Sequence, residues 1–348
     1  MHAISARFLV LFLALVFGSA HAGDVRRIAD ASGREIALPA EIKRVYAAGP
    51  PASVFVFAIA PEKLIGWTRA MRPDEAAFLP PQYANLPELG RLTGRGNTAN
   101  VEVVLAAKPD LIVDAGSTAP SFVSLAQRVE TQTGIPYLLF DGRFSETART
   151  FRLLGAALNE AARGEMLAAY VENTLSVIRE KIARAPAGKK PRVYYARGAN
   201  GLTTALQGSI NVEALELLAA VNVAGKSEVS GGLTPVSFEQ VLAWNPDVIV
   251  TTDEVFYYHT ARQDARWANL PAVKARRIYL SPRLPFGWFD FPPGPNRLIG
   301  VLWFAHILYP DLFRDSLPAA VKKFYTLFYH REPADAEVDA LLNPKDAP

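Results

Sequence analysis

Apolar residues fall along this chain in two kinds of run. The short kind occupies 54–59, 111–113, 137–140, 193–195, 248–251 and 277–280, and stretches of helical period separate one run from the next. Strands buried on both faces read as continuous apolar runs, so the alternation predicts βαβ units with parallel sheets covered by helices. The second kind is a stripe: Leu167, Val171, Leu175, Ile178 and Ile182 recur every three or four residues. Such spacing puts them on one face of a single long helix, expected over 161–188, which the Pro and Gly of 185–191 bring to an end. The parts beyond Asn296, with Leu298, Val301, Leu302, Phe324 and Phe328 as core residues, read as helices packed on the second half.

The chain also repeats itself. Glu102-Val103-Val104-Leu105-Ala106-Ala107-Lys108-Pro109-Asp110-Leu111-Ile112-Val113 returns as Glu239-Gln240-Val241-Leu242-Ala243-Trp244-Asn245-Pro246-Asp247-Val248-Ile249-Val250, 137 residues later. Each copy spells a polar cap (Asn100, Ser237), a short amphipathic helix, a proline that stops it and a buried strand. A fainter echo lies upstream of each copy, where Arg44-Val45-Tyr46 resembles Arg192-Val193-Tyr194. Two related α/β lobes follow. The fold expected is therefore α/β: two Rossmann-like lobes with parallel sheets, 23–160 and 189–348, joined by the long helix of 161–188.

The first 22 residues read as an export signal, with Arg7 near the start, an apolar core from Phe8 to Phe17 and the small-residue pattern Ala20-His21-Ala22 at its end. That core is too short to span a bilayer, which takes about 20 apolar residues. Cleavage is expected after Ala22, leaving a soluble periplasmic protein. With no cysteine in the chain, a lipid-modified cysteine, disulfides and thiolate metal sites are all excluded. The formal net charge is only +3, a balance that argues against a nucleic-acid partner, which would need a concentrated basic face.

The signal segment, the repeated helix-Pro-Asp-strand units and the long central helix together resemble the periplasmic binding proteins for iron chelates and vitamin B12. The resemblance covers nearly the whole chain after the leader. It implies a monomeric substrate-binding component that delivers its cargo to the membrane subunits of an ABC importer. It further implies that Glu102 and Glu239, one from each lobe, meet arginines on those subunits. Read alone, each glutamate is a first-turn carboxylate that the helix dipole favours by about 0.3–1 kcal/mol; their equivalent placement in two lobes is what suits a two-subunit partner. Trp244, Tyr279, Trp288 and Tyr309 are similar to a branch linked to iron, nickel and oxyanion uptake, so the resemblance fixes the role more firmly than the cargo.

In open α/β lobes ligands bind beyond the carboxyl ends of the strands. The loops there are 47–53, 67–69, 116–121 and 141–144 in the first lobe, and 197–204, 253–259 and 283–290 in the second. Gly49, Pro50 and Pro51 read as a turn bringing backbone to the cleft. Arg69, Arg143, Arg197 and Arg283 fall in or beside these loops and suit carboxylate, catecholate or oxyanion groups through bidentate hydrogen bonds. Trp67, Tyr257, Tyr258, Phe286, Trp288 and Phe289 offer rings on which a bulky chelate packs, with Trp288 expected to face the cleft.

Direct metal binding has little to build on, because of the histidines beyond the leader only His259 lies in such a loop; it is read as completing the coordination of an already chelated metal. No resident cofactor is expected. The leading cargo is a small-molecule metal chelate, a ferric siderophore first; cobalamin, haem, a nickel chelate and molybdate or tungstate are the alternatives. The chain has no nucleophile elbow, zincin motif or phosphate loop. Catalysis would require a chelatase-like enzyme of similar two-lobed architecture, and the chain is read as not an enzyme.

Overall fold

The computed structural model describes residues 26–94, 96–185, 190–225 and 232–344. The expected leader and its cleavage position lie outside the described residues, as do residues 186–189 of the helix-breaking segment. Among the described residues no helix is long and apolar enough to cross a membrane.

β1 (Arg26–Ala29) and β2 (Glu35–Leu38) form an antiparallel hairpin. The first lobe stands on a parallel sheet in the order β3 (Val45–Ala47), β4 (Leu111–Gly116), β5 (Tyr137–Asp141). The second lobe supplies β6 (Arg192–Ala196), β7 (Thr203–Ala205), β8 (Val221–Asn222), β9 (Leu233–Pro235), β10 (Val248–Thr251) and β11 (Ile278–Leu280). Four of these make the parallel sheet β11-β10-β6-β8, while β7 and β9 pair antiparallel beside it. Strands β6, β10 and β11 thus repeat the neighbour order of β3, β4 and β5.

Both sequence echoes have a structural cause. Asp110 accepts hydrogen bonds from the backbone N–H groups of Lys43 and Arg44 (2.8 Å each), and Asp247 accepts one from that of Arg192 (3.1 Å). The Arg44 guanidinium donates to the Ala107 carbonyl (2.8 Å) and that of Arg192 to the Trp244 carbonyl (2.7 Å), at the equivalent position. In each lobe the Pro-Asp pair therefore ends a helix, Val101–Ala107 or Phe238–Trp244, and ties it to the start of the neighbouring strand. The cap residues also agree. Asn100 and Ser237 accept from the third helical N–H, and Lys108 and Asn245 close each helix in the left-handed conformation.

One apolar run departs from expectation. Residues 54–59 form no strand but belong to the helix Pro50–Ile59, in which every residue from Ala52 to Ile59 is buried. This helix packs on β3 and β4 and is covered on its other side by the helices Thr147–Ala157 and Leu317–Tyr329. A helix buried all round needs no polar face and so shows no period. The Gly49-Pro50-Pro51 turn is likewise its N-terminus, with proline at the first two positions.

The linking helix runs Ala161–Ala183 and buries Leu167, Val171, Leu175 and Ile178 as the stripe predicts, with Ile182 partly covered. It lies so close to Thr147–Ala157 that a side chain on Gly164 would sit 2.5 Å from the Phe151 carbonyl. One apolar core runs through both lobes, containing Phe57, Phe151, Leu175, Tyr195, Phe304 and Phe328 alike. The C-terminal helices, expected on the second lobe, cover both. Arg297–Leu308 packs on Glu213–Leu217 of the second, but Leu317–Tyr329 packs on Pro50–Ile59 of the first, where the Phe151 and Phe328 rings meet at 5.7 Å.

Candidate functional site: an arginine-lined cleft between the lobes

A cleft of about 820 Å³ opens between the lobes. The second lobe lines it with residues that follow β6 (Arg197, Gly198), β10 (Thr252, Asp253, Glu254, Val255) and β11 (Ser281, Pro282, Arg283). These are carboxyl ends of parallel strands, where open α/β sheets hold ligands. From the first lobe come Pro50 and Ser53 after β3, the 67–75 segment and Arg91, whereas the loops after β4 and β5 contribute no lining residue. The 198–201 loop is held on the wall by the Phe256 ring. Gly201 has φ +70° and a side chain there would lie 2.2 Å from that ring, so both the conformation and the contact require glycine.

Five arginines face the cleft, Arg69, Arg72, Arg91, Arg197 and Arg283, against three carboxylates, Glu75, Asp253 and Glu254. Arg69 makes a two-pronged pair with Glu75 (2.7 Å to each oxygen), and Arg72 reaches both Glu75 (2.8 Å) and Asp74 (3.2 Å). Arg283 bridges the mouth, holding Glu254 of its own lobe at 2.6 Å and Asp74 of the other at 3.1 Å. Partial burial opposes ionisation of Asp74, but hydrogen bonding to Arg72 and the charges of Arg72 and Arg283 hold its carboxyl below the usual range. Arg197 is held from behind by Asp290 (2.7 Å), whose other oxygen accepts from the Tyr195 hydroxyl (2.6 Å). Burial pushes the Asp290 carboxyl up, partly offset by Arg197 and Tyr195. Arg91 donates to the Gly96 carbonyl (2.9 Å) and has no carboxylate within 4.0 Å among the described residues. Short hydroxyl residues share the lining: Thr203 and Thr252 are half-buried, while Ser53, Thr68 and Ser281 are buried, with the Ser53 and Ser281 hydroxyls donating to the Pro50 and Pro282 carbonyls.

The expected site residues divide sharply. Arg197, Arg283, Arg69 and Trp67 line the cleft, although Trp67 is 2 % exposed and shows only part of its ring, its Nε1 donating to the Tyr83 carbonyl. Trp288 does not face the cleft. It is fully buried, its Nε1 donating to the Tyr325 hydroxyl at 3.2 Å, because the 284–293 loop folds back on the helix Arg297–Leu308. Arg143 lies outside the lining, pinned by Asp141 at 2.6 Å in a loop whose neighbours dock on the second lobe. Tyr257, Tyr258 and His259 also miss the cleft. Their segment is a π-helical turn, Phe256–Thr260, that turns the two tyrosines against each other at 4.9 Å. Glu102 and Glu239 are exposed at equivalent second positions of their helices.

Arg72, Arg91 and the exposed ring of Phe291 are lining residues that the sequence reasoning missed. Arg72 and Arg91 do not directly follow a strand, so the loop rule passed over them. The signal that could have found Arg72 is the cluster of opposite charges in Arg69…Arg72-Pro73-Asp74-Glu75.

Comparison with known proteins gives this geometry its context. Residues 62–283, more than half of the chain, match the profile described as periplasmic binding protein. The chain belongs to that family. Among curated relatives, it is 26% identical over 334 residues to the molybdate-binding protein MolA of Haemophilus influenzae, covering 87% of this chain and 91% of the relative. It is also 26% identical over 267 residues to the vitamin B12-binding protein of Vibrio cholerae, covering 74% and 86%. Among solved structures, an ABC transporter solute binding protein from Sulfurospirillum deleyianum superposes with a TM-score of 0.81 at 31% identity, covering 91% of this chain and 98% of that one. Family membership settles the class of the molecule: a periplasmic binding protein of the kind that serves ABC transporters.

Proposed function

We propose that this periplasmic binding protein captures a compact metal oxyanion of the molybdate or tungstate kind in the interlobe cleft. It then delivers that cargo to the membrane subunits of an ABC importer, docking through Glu102 and Glu239. The observation that carries the cargo reading is the lining itself: five arginines drawn from both lobes, with the half-buried hydroxyl residues Thr203 and Thr252 in the same wall. Guanidinium groups with hydroxyls beside them match an anion that presents oxygen in every direction. A bulky chelate would need a bed of rings. Of the rings expected to supply one, Trp288, Tyr257 and Tyr258 stand off the cleft, while Trp67 and Phe286 are 2 % and 6 % exposed. The relative named for molybdate supports the same reading.

A second reading, an anionic metal chelate such as a ferric siderophore, is favoured by two features: the volume of about 820 Å³, generous for a single oxyanion, and the exposed Phe291 ring on the wall. Titration calorimetry of the full chain against molybdate, tungstate, sulfate, a ferric siderophore, cobalamin and haem separates the two. Molybdate or tungstate should bind, and Arg91→Ala should weaken them about tenfold, since a bidentate charged contact is lost. Binding of the siderophore alone would replace the first reading by the second.

A further inference from the structure

Among the described residues seven large apolar side chains are well exposed, and two of them, Leu105 (44 %) and Leu242 (56 %), occupy the same place in the two copies of the repeat. A lone exposed leucine needs no explanation; the same exposed leucine in both lobes is a pattern. Each lies three residues after a docking glutamate, Glu102 or Glu239, and residues three apart share a helix face. Val104 and Val241, each one residue before its leucine, are both 0 % exposed and commit an adjoining face of each helix to the core, so neither leucine is needed to hold its helix down.

The surroundings match as well. In both helices the residue after the leucine is an exposed alanine, Ala106 or Ala243, which leaves the leucine standing clear of its neighbours. Each helix directly precedes a strand parallel to β3 or β6. Its N-terminus therefore lies at the carboxyl ends of the strands, on the side of the molecule where the cleft opens.

We propose that Leu105 and Leu242 are a pair of apolar anchors, one per lobe, that seat in pockets on the two membrane subunits of the importer beside the arginines that receive Glu102 and Glu239. The proposal rests on the docking reading and adds to it a component that salt does not screen. A glutamate flanked by an exposed leucine one turn away presents a charge and an apolar knob to the same partner surface. Interfaces of this kind draw affinity from a buried apolar contact and orientation from the charge beside it. Its own backbone N–H and Ser237 hold the Glu239 carboxyl below its usual range, and Arg266 nearby adds to this.

The test uses the full chain and its own importer reconstituted in lipid nanodiscs, with complex affinity measured at low and high salt. Four variants are compared: Leu105→Ser, Leu242→Ser, the double Leu variant, and Glu102→Gln with Glu239→Gln. Melting temperature confirms that each exposed substitution leaves the fold intact. Each single Leu variant should bind the importer about tenfold more weakly and the double about a hundredfold, since distant sites add. Those losses should persist at high salt, whereas the loss in the Glu variant should shrink. Unchanged affinity in the double Leu variant alongside a weakened Glu variant would overturn the anchors and leave glutamate docking standing. Unchanged affinity in both would overturn the docking reading as well.

Discussion

Two arginines of the second lobe reach across to the first, in opposite surroundings. At the back of the cleft Arg297 is 3 % exposed and donates to the Gly142 carbonyl of the first lobe (2.7 Å), to the Ile210 carbonyl (3.0 Å) and to Glu213 (2.8 Å). Glu213 in turn accepts the Phe144 N–H of the first lobe at 2.9 Å. At the mouth, Arg283 meets Asp74 with both side chains more than a third exposed, 37 % and 38 %. A buried charge with all three of its nitrogens hydrogen-bonded is expensive to disturb, while an exposed pair is screened and worth little. The back of the molecule is therefore a fixed joint and the mouth a breakable one. Together with the linking helix and the continuous core, this allows the mouth to rearrange around a ligand while the lobes stay registered.

The largest effect should come from breaking the back. Arg297→Ala leaves Glu213 without its counter-charge in a largely buried position and two interior carbonyls without the Arg297 donor. It should cost about 3–5 kcal/mol, the usual loss when one partner of a buried pair is removed. Chemical denaturation would show it as a lower midpoint. A loss near zero would mean that the two lobes are held by the core alone, and the contrast between back and mouth would disappear.

How much of this was legible beforehand follows from the same contrast. The repeat and the apolar stripe announced two lobes and one linking helix because those elements are half buried, so their period survives in sequence. The helix Pro50–Ile59 was misread as a strand because burial on all sides erased its period; the prolines at its first two positions were the only local sign. Trp288 was misplaced for a related reason: glycine and prolines beside it suggest an exposed loop, yet Tyr325 and the helix Arg297–Leu308 close over it. Within the cleft, Arg197 and Arg283 were found because they follow strands directly. Arg72 and Arg91 were not, since their segments reach the cleft by tertiary packing that no local pattern records. Arg297 was passed over altogether, because a lone arginine among apolar residues does not reveal that a neighbouring lobe supplies its carbonyls.

A second joint at the back should give a smaller, pH-dependent effect. His330, at the end of the helix Leu317–Tyr329, places Nε2 2.8 Å from the Phe57 carbonyl and its ring 5.2 Å from the Phe57 ring. A carbonyl only accepts, so Nε2 carries the proton and Nδ1 turns its lone pair toward the Arg163 guanidinium at 3.5 Å. Burial, with the Arg163 charge adding to it, keeps the His330 imidazole below its usual value, although the Phe57 and Ala58 carbonyls favour the charged form. The unfolded chain then binds more protons than the folded one, so stability is lost as pH falls below about 6.5, the ordinary histidine value. His330→Asn accepts the left-handed backbone at this position (φ +56°) and should flatten the fall in melting temperature on the acid side of that value. An unchanged slope would place the acid sensitivity elsewhere.

The smallest effect on stability should come from the mouth, and its value is as the counterpart of Arg297. Arg283→Ala removes the only ion pair among the described residues that joins Asp74 of the first lobe to the second lobe. Because the pair is more than a third exposed, the loss of stability should stay below about 1 kcal/mol. Its signature is different in kind. The depressed Asp74 carboxyl should rise toward its ordinary value once the Arg283 charge is gone, readable by NMR titration, and Glu254 is freed to swing away from the wall. The ligand-free protein should also show a wider cleft in solution scattering, whereas Arg297→Ala should lower stability first. A Arg283→Ala variant as unstable as Arg297→Ala would show that the mouth is a structural joint like the back, and that ligand entry has to be sought at another edge of the cleft.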